Sequence, residues 1–275
     1  MDIIENMMGS VVQRGPHNDR IYLMRLQTDD TQALIAALDD MAITNGYGKI
    51  FAKIPATAWH TFKNADYVKE AVIPGFFTGK IDGFFIAKHF TLAKQITHKP
   101  ESASRFVLLS KKKPGDGLHT GKVKRDVASC KPSDAGEMSA IYRQIFSSYP
   151  FPIQQPDYIQ RMMKETTRYY CIRMKGRIAA IAAAEIDSVS QNAEMTDFAT
   201  LPKWRGMGLA GSLLNHMEMA ARKRGIQTAF TIARAQSAGM NSVFRKSGYS
   251  YAGLLKNNTQ ICGSIQSMVV WYKHL

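Results

Sequence analysis

The sequence predicts an α/β fold in which a mixed, mostly antiparallel sheet is flanked by helices. Three observations carry that prediction. A strand-like run from Ala193 to Leu201 leads through Pro202 into the turn Trp204-Arg205-Gly206-Met207-Gly208-Leu209-Ala210. An amphipathic stretch follows, with apolar Leu213, Leu214, Met217, Ala220 and Ala221. Upstream, apolar runs from Tyr169 to Met174 and from Ile178 to Ile186 flank Lys175-Gly176, the pattern of a hairpin. The N-terminal region then repeats the order strand, helix, strand, helix, hairpin.

The elements follow in chain order. Met1 to Asn18 is mixed and carries Asp2 and Glu5, which is no secretory signal, and it reads as a frayed tail. Asp19–Leu26 reads as a strand and Thr28–Thr44 as a helix with Leu34, Ala37, Leu38 and Met41 on one face. Gly46–Ile54 is a strand entered from glycine, Trp59–Tyr67 a short helix, and Ile73–Phe77 with Ile81–Phe90 a hairpin about Gly79-Lys80. Lys111–Lys131 is rich in Lys, Gly and Pro and reads as a solvated connector. Ser133–Tyr149 and Pro156–Thr166 read as helices, the first with Asp134 and Glu137 spaced as a capping pair. Gly225–Ile232 is a β-rich run that parallels Gly46–Ile54, entered from a glycine that ends the helix after the glycine turn, and Asn241–Tyr249 is a short helix closed by Gly248-Tyr249. The expected division is a domain over 1–110, a linker over 111–125 and a second domain over 126–275.

Composition narrows the function classes. The chain has 275 residues and a net charge of +14, but no basic motif interleaved with aromatics and no recognition-helix pattern. Nucleic acid is therefore not the expected partner. No run approaches the ~20 apolar residues that span a bilayer. The three cysteines, Cys130, Cys171 and Cys262, lie far apart without metal spacing. They fit a reducing cytoplasm as packing residues, and no metal is expected.

The glycine turn carries the chemistry. A turn of this kind aims free backbone N–H groups and a helix N-terminus at one spot, which suits a pyrophosphate. The pattern Arg205-x-x-Gly208-x-Ala210, with Asn241 opening and Gly248-Tyr249 closing a short helix downstream, resembles the GNAT family of N-acetyltransferases. The resemblance runs from about residue 125 to the C-terminus and implies the GNAT acyltransferase fold with acetyl-CoA as co-substrate. It places the cofactor on Phe198, Ala199, Thr200, Arg205, Gly206, Met207, Gly208, Leu209 and Ala210, with Asn241 on the pantetheine arm and Phe244 beside it. The N-terminal region resembles the back half of the same fold without its signature, a degenerate half-domain. Asp29 and Asp30 stand where the phosphate turn belongs and would repel a phosphate.

Acetyl transfer to an amine needs a base, because an ammonium has no lone pair. The family often carries its base carboxylate on the strand before the phosphate turn. Glu194 matches that place and Asp197 competes with it, although strict alternation puts the two on opposite faces. Glu185 is a third carboxylate on the preceding strand. Where many relatives hold a tyrosine as leaving-group acid this chain has Phe244, which has no proton to give, so the acid is left unassigned.

Further motifs narrow the resemblance. Gly46–Pro55, Ile73–Gly79 and Asn257–Met268 look like the β-lysine N-acetyltransferases, over nearly the whole chain. That resemblance implies acetylation of the terminal amine of β-lysine to give a compatible solute. It leaves open another small amine, a protein N-terminus, a non-catalytic binding role, and pairing of two copies. The Asn257–Gln260 segment and the Tyr149–Pro152 link are the expected walls of the acceptor site.

Overall fold

The computed structural model describes residues 2–91 and 126–275; the basic linker expected over 111–125 lies outside them. The first segment runs β1 (Ile3–Met7), β2 (Ser10–Gly15), β3 (Arg20–Arg25), α1 (Thr31–Asn45), β4 (Lys49–Pro55), α2 (Trp59–Asn64), β5 (Val68–Phe77) and β6 (Ile81–His89). The second runs β7 (Val127–Ser129), α3 (Ala135–Ile145), α4 (Pro156–Lys164), β8 (Thr167–Met174), β9 (Arg177–Asp187), β10 (Asn192–Thr200), α5 (Leu209–Arg222), β11 (Thr228–Arg234), α6 (Ala238–Lys246), β12 (Ser250–Ile261) and β13 (Ser264–His274).

All these strands form one sheet in the order β1-β2-β3-β4-β6-β5-β12-β13-β11-β10-β9-β8-β7. Read outward from the β5–β12 seam, the first six strands of the two arms match, and β7 lies beyond them without a counterpart among the described strands. β3 and β4 are parallel, as are β10 and β11, and β4–β6 and β11–β13 are antiparallel. The tail expected to fray instead supplies β1 and β2, counterparts of β8 and β9. Met8 and Gly9, both with positive φ, turn this hairpin, as Lys175-Gly176 and Cys262-Gly263 turn theirs.

The seam is built of matched donors. Asn192 Nδ2 and Thr228 Oγ1, from the starts of β10 and β11, donate to the carbonyls of Phe76 and Gly75 at 3.3 and 3.1 Å. Arg20 and Lys49, from the starts of β3 and β4, donate to the carbonyls of Asn258 and Lys256. Lys49 is wholly buried and its charge is met by Glu70 at 2.7 Å, a pairing that burial requires. A Cβ on Gly253 would sit 2.1 Å from the Glu70 carbonyl, so glycine there lets β12 approach β5.

Helices cover the faces unequally. α5 and α6 pack on one face through Leu213, Leu214, Met217 and Phe244, and α1 and α2 pack on the N-terminal arm through Leu34, Leu38 and Phe62. α3 and α4 lie on the other face, sharing a core with Tyr22, Phe51 and Phe85 of the N-terminal arm. The expected Asp134–Glu137 cap is replaced by other bonds. Asp134 accepts from Lys131 N–H and pairs with Arg173 at 2.7 Å, while Glu137 accepts from Ile178 N–H at 2.9 Å. These carboxylates tie α3 to the β8–β9 hairpin instead of closing its first turn.

Candidate active site

The β10 strand makes the site by parting from β11. Their pairing stops at Glu194–Phe230, although β10 continues to Thr200 and β11 to Arg234. Beyond that vertex the facing edges carry backbone groups with no ladder partner, which suit the amides of an extended ligand. The register of β10 with β9 slips between Thr196 and Ala199, and Asp197 takes φ 54° in the bulge. The slip breaks the alternation. Glu194, Thr196 and Asp197 all line one cavity of about 740 Å³, so the two carboxylates expected on opposite faces share a site.

One end of this cavity is the glycine turn. Gly206 and Gly208 have φ 77° and 74°, and α5 begins at Gly208 with no side chain capping it. A Cβ on either glycine would meet nothing within 4 Å, so glycine is there for backbone conformation and ligand approach. Arg205, Gly206, Gly208, Leu209 and Ala210 line the cavity, and the Arg205 Nε donates to the Thr200 carbonyl at 3.3 Å. Uncapped N–H groups, the helix dipole and a guanidinium fit a pyrophosphate. The matching helix start in the N-terminal arm is already filled, because Asp30 Oδ1 accepts from Ala33 N–H at 2.8 Å.

Other expected cofactor contacts divide. Phe198, Thr200 and Phe244 line the cavity, and Phe198 meets Phe244 edge-on with ring centroids 5.6 Å apart. The Ala199 side chain is packed in the core and Met207 is 39% exposed at the turn, so neither lines the cavity. Asn241 does not line it either. Its amide donates to the carbonyls of Arg234 and Ser237 and its oxygen accepts from Trp271 Nε1 at 2.8 Å. Those bonds commit the side chain to holding α6 against β11 and β13.

The other end is electrostatically dense. Glu185 stands directly opposite Glu194 in the β9–β10 register. Burial, then Glu194 and Asp197, pushes Glu185 up to about 8 against the pull of Lys53. Burial pushes Glu194 up to about 7 and Asp197 adds to it, while Lys53 and the Ile232 N–H pull the other way. Burial raises Asp197 to about 6 although Tyr149 Oη donates to it at 2.6 Å. Burial alone would lower Lys53, but Tyr22, Glu194 and Glu185 outweigh it and keep the ammonium charged.

Arg20, Tyr22 and Lys53, unassigned from sequence, come from β3 and β4 of the N-terminal arm and line the same cavity. The parallel Gly46–Ile54 and Gly225–Ile232 runs were the available signal, since they place Lys53 level with Ile232. The expected walls are also present, as Tyr149, Pro150 and Phe151 on one side and Asn258 and Thr259 on another. Phe244 is buried against Phe198 and Tyr249, with no hydroxyl at that place. Cys130, just past the end of β7, and Cys171 of β8 lie near one another, away from this cavity.

A pyrophosphate cradle, a parted strand pair and a carboxylate near neutral pKa at its vertex define a transferase that moves an acyl group from a nucleotide-bearing thioester to an amine. A model of the acetyltransferase (GNAT) family matches residues 137–249. The β-lysine N(6)-acetyltransferase of Methanococcus maripaludis is 34% identical over 275 residues, covering 99% of each chain. The protein of the same name from Methanosarcina mazei is 28% identical over 265 residues, 89% of this chain and 97% of that one. The N-acetyltransferase YodP of Bacillus subtilis is 38% identical over 143 residues, 52% of each chain. The chain belongs to the GNAT family and is an acetyl-CoA-dependent N-acetyltransferase.

Proposed function

We propose that the enzyme transfers the acetyl group of acetyl-CoA to the terminal amine, N6, of β-lysine. The observation that carries this reading is the acceptor end of the cavity, where Glu185, Glu194 and Asp197 face Lys53 and Arg20. β-Lysine brings two ammonium groups and one carboxylate, so both signs of charge in the site find partners. The names of the two full-length relatives support the same substrate.

The residues divide the work. The N–H groups at the start of α5 and Arg205 hold the pyrophosphate, and the free edges of β10 and β11 hold the pantetheine arm. Glu194 takes the proton that the attacking ammonium must lose. A base near 7 is about half ionised at neutral pH and basic enough to accept it. Asp197 is held by Tyr149 and Thr196 and serves the field of the site, while Glu185 receives the ammonium that does not react. The departing thiolate takes its proton from solvent, because Phe244 offers none. The N-terminal arm, residues 1–110, is a degenerate GNAT half that walls the acceptor site, with 126–275 the catalytic unit.

The product is a zwitterion of no net charge, suited to accumulate in a cytoplasm as a compatible solute. Thiol release from acetyl-CoA, measured against β-lysine, α-lysine, spermidine and a peptide amine, tests the substrate. β-Lysine should give the highest kcat/KM, and a higher value for any other amine would refute the assignment.

A further inference from the structure

The degenerate N-terminal arm holds a charge that the protein does not neutralise. Arg20 is 4% exposed at the start of β3. Its Nη1 donates to the Asn258 carbonyl and to Thr259 Oγ1, and its Nε has no partner. Among the described residues no carboxylate forms an ion pair with it; Asp2 acts on it only at a distance and is bonded to His17 and Asn18. A buried cation without a counter-ion is costly, and proteins pair such charges or use them. The other buried cation of the seam, Lys49, has Glu70 at 2.7 Å.

Arg20 also faces the right space. It lines the acceptor end of the cavity. Its Cζ lies 5.2 Å from the Tyr22 ring centroid, and Lys53 Nζ lies 5.6 Å from the same centroid. Lys53 is engaged by Tyr22, Glu194 and Glu185. Of the two cations, Arg20 is therefore the one left for an incoming anion. Asn258 and Thr259 fix its direction, and Tyr22 and Phe51 shield it from water. Burial lowers it only to about 10, so it is fully charged at neutral pH.

We propose that Arg20 is the anchor for the acceptor's carboxylate, so that the catalytically silent arm sets specificity by selecting amines that carry a carboxylate and rejecting plain polyamines. The carboxylate docks on the guanidinium from the N-terminal arm, and the chain of the substrate runs past Tyr22 and Lys53 toward Glu194. This inference rests on the amine acetyltransferase reading above, but not on β-lysine itself.

The test separates the two. Rates with acetyl-CoA are measured for β-lysine against 1,4-diaminopentane, its counterpart without the carboxylate, and for α-lysine against α-lysinamide. In the wild type the acid should exceed its partner by roughly 10²-fold or more in kcat/KM, the scale of removing one partner of a buried charge pair. Arg20→Gln should collapse that ratio to within about threefold, mainly through KM, and Arg20→Lys should restore part of it. Acetyl-CoA affinity, measured by calorimetry, reports whether each variant is folded. If α-lysine is the favoured acid and its preference depends on Arg20, the β-lysine reading fails and the anchor stands. Equal turnover of acid and partner in the wild type, a ratio unmoved in a folded Arg20→Gln, or no turnover of any of the four amines overturns the anchor.

Discussion

Tyr22 and Glu194 occupy the same place in two copies of one strand pattern. Each stands at the third rung of a parallel pairing, opposite Phe51 and Phe230 respectively. The two phenylalanines share one aromatic core through Phe85 and Phe76. In one arm that place carries the carboxylate at the vertex of the parted strands. In the other it carries a phenol whose neighbour Lys53 reaches back toward the carboxylate. The arm without the glycine turn thus faces the arm that carries it.

The base assignment makes a comparison. Glu194→Gln should lower kcat by roughly 10²–10⁴-fold, leave acetyl-CoA affinity unchanged, and regain activity at high pH, where more amine is neutral. Asp197→Asn should cost less in rate, because the Asp197 carboxylate is held by Tyr149 at 2.6 Å. Its bulge at φ 54° can shift in the variant, which thermal melting would register. A near wild-type Glu194→Gln beside an inactive Asp197→Asn would transfer the role.

Lys53 should set the pH range. Activity needs ionised Glu194, so kcat/KM should rise with pH through about 7 and fade below it. Lys53 favours the charged form, so removing it in Lys53→Met moves that limb to higher pH. A pH–rate profile with the same midpoint in both proteins would show that Lys53 does not act on the base.

Glu185 should make the free enzyme less stable as pH rises. Its folded pKa of about 8 lies above the ordinary glutamate value of 4.5, so the folded state holds its proton where the unfolded chain has released it. Stability from this group is present at low pH and is lost between those two values. Glu185→Gln should therefore gain in Tm over wild type as pH climbs from about 5 to 8, then level off. A difference in Tm independent of pH would mean that the fold does not raise the pKa of Glu185.

The two helix starts should respond in opposite ways. Gly208→Val forces a side chain onto φ 74° at the uncapped end of α5 and should weaken acetyl-CoA by roughly tenfold or more. Asp30→Ala removes the cap of α1 and should cost about 1 kcal/mol of stability without touching acetyl-CoA affinity. Calorimetric titration should give one cofactor per chain, and two equivalent sites would contradict the silent arm.

The parts of this site that sequence reveals are local. Gly206 and Gly208 announce a positive-φ turn before a helix, and Asp30 announces a filled one, because both act through the nearest few residues. The bulge at Asp197 is not local. It arises from the slip of β10 against Ala183 and Ile181 of β9, and alternation alone sends Asp197 to the wrong face. Arg20, Tyr22 and Lys53 escaped notice because their meaning depends on a seam that joins residues far apart, such as Arg20 and Asn258. Met8-Gly9 between Ile3-Ile4 and Val11-Val12 was a readable hairpin signal, hidden by the polar residues around it.

The central claim is tested most directly by the product formed from acetyl-CoA and β-lysine, with the position of the new amide read by NMR. The account predicts a single product acetylated on N6, the amine at Glu194, with the second amine free. Acetylation on the amine nearer the carboxylate, or no product from β-lysine while another amine is acetylated, would contradict it.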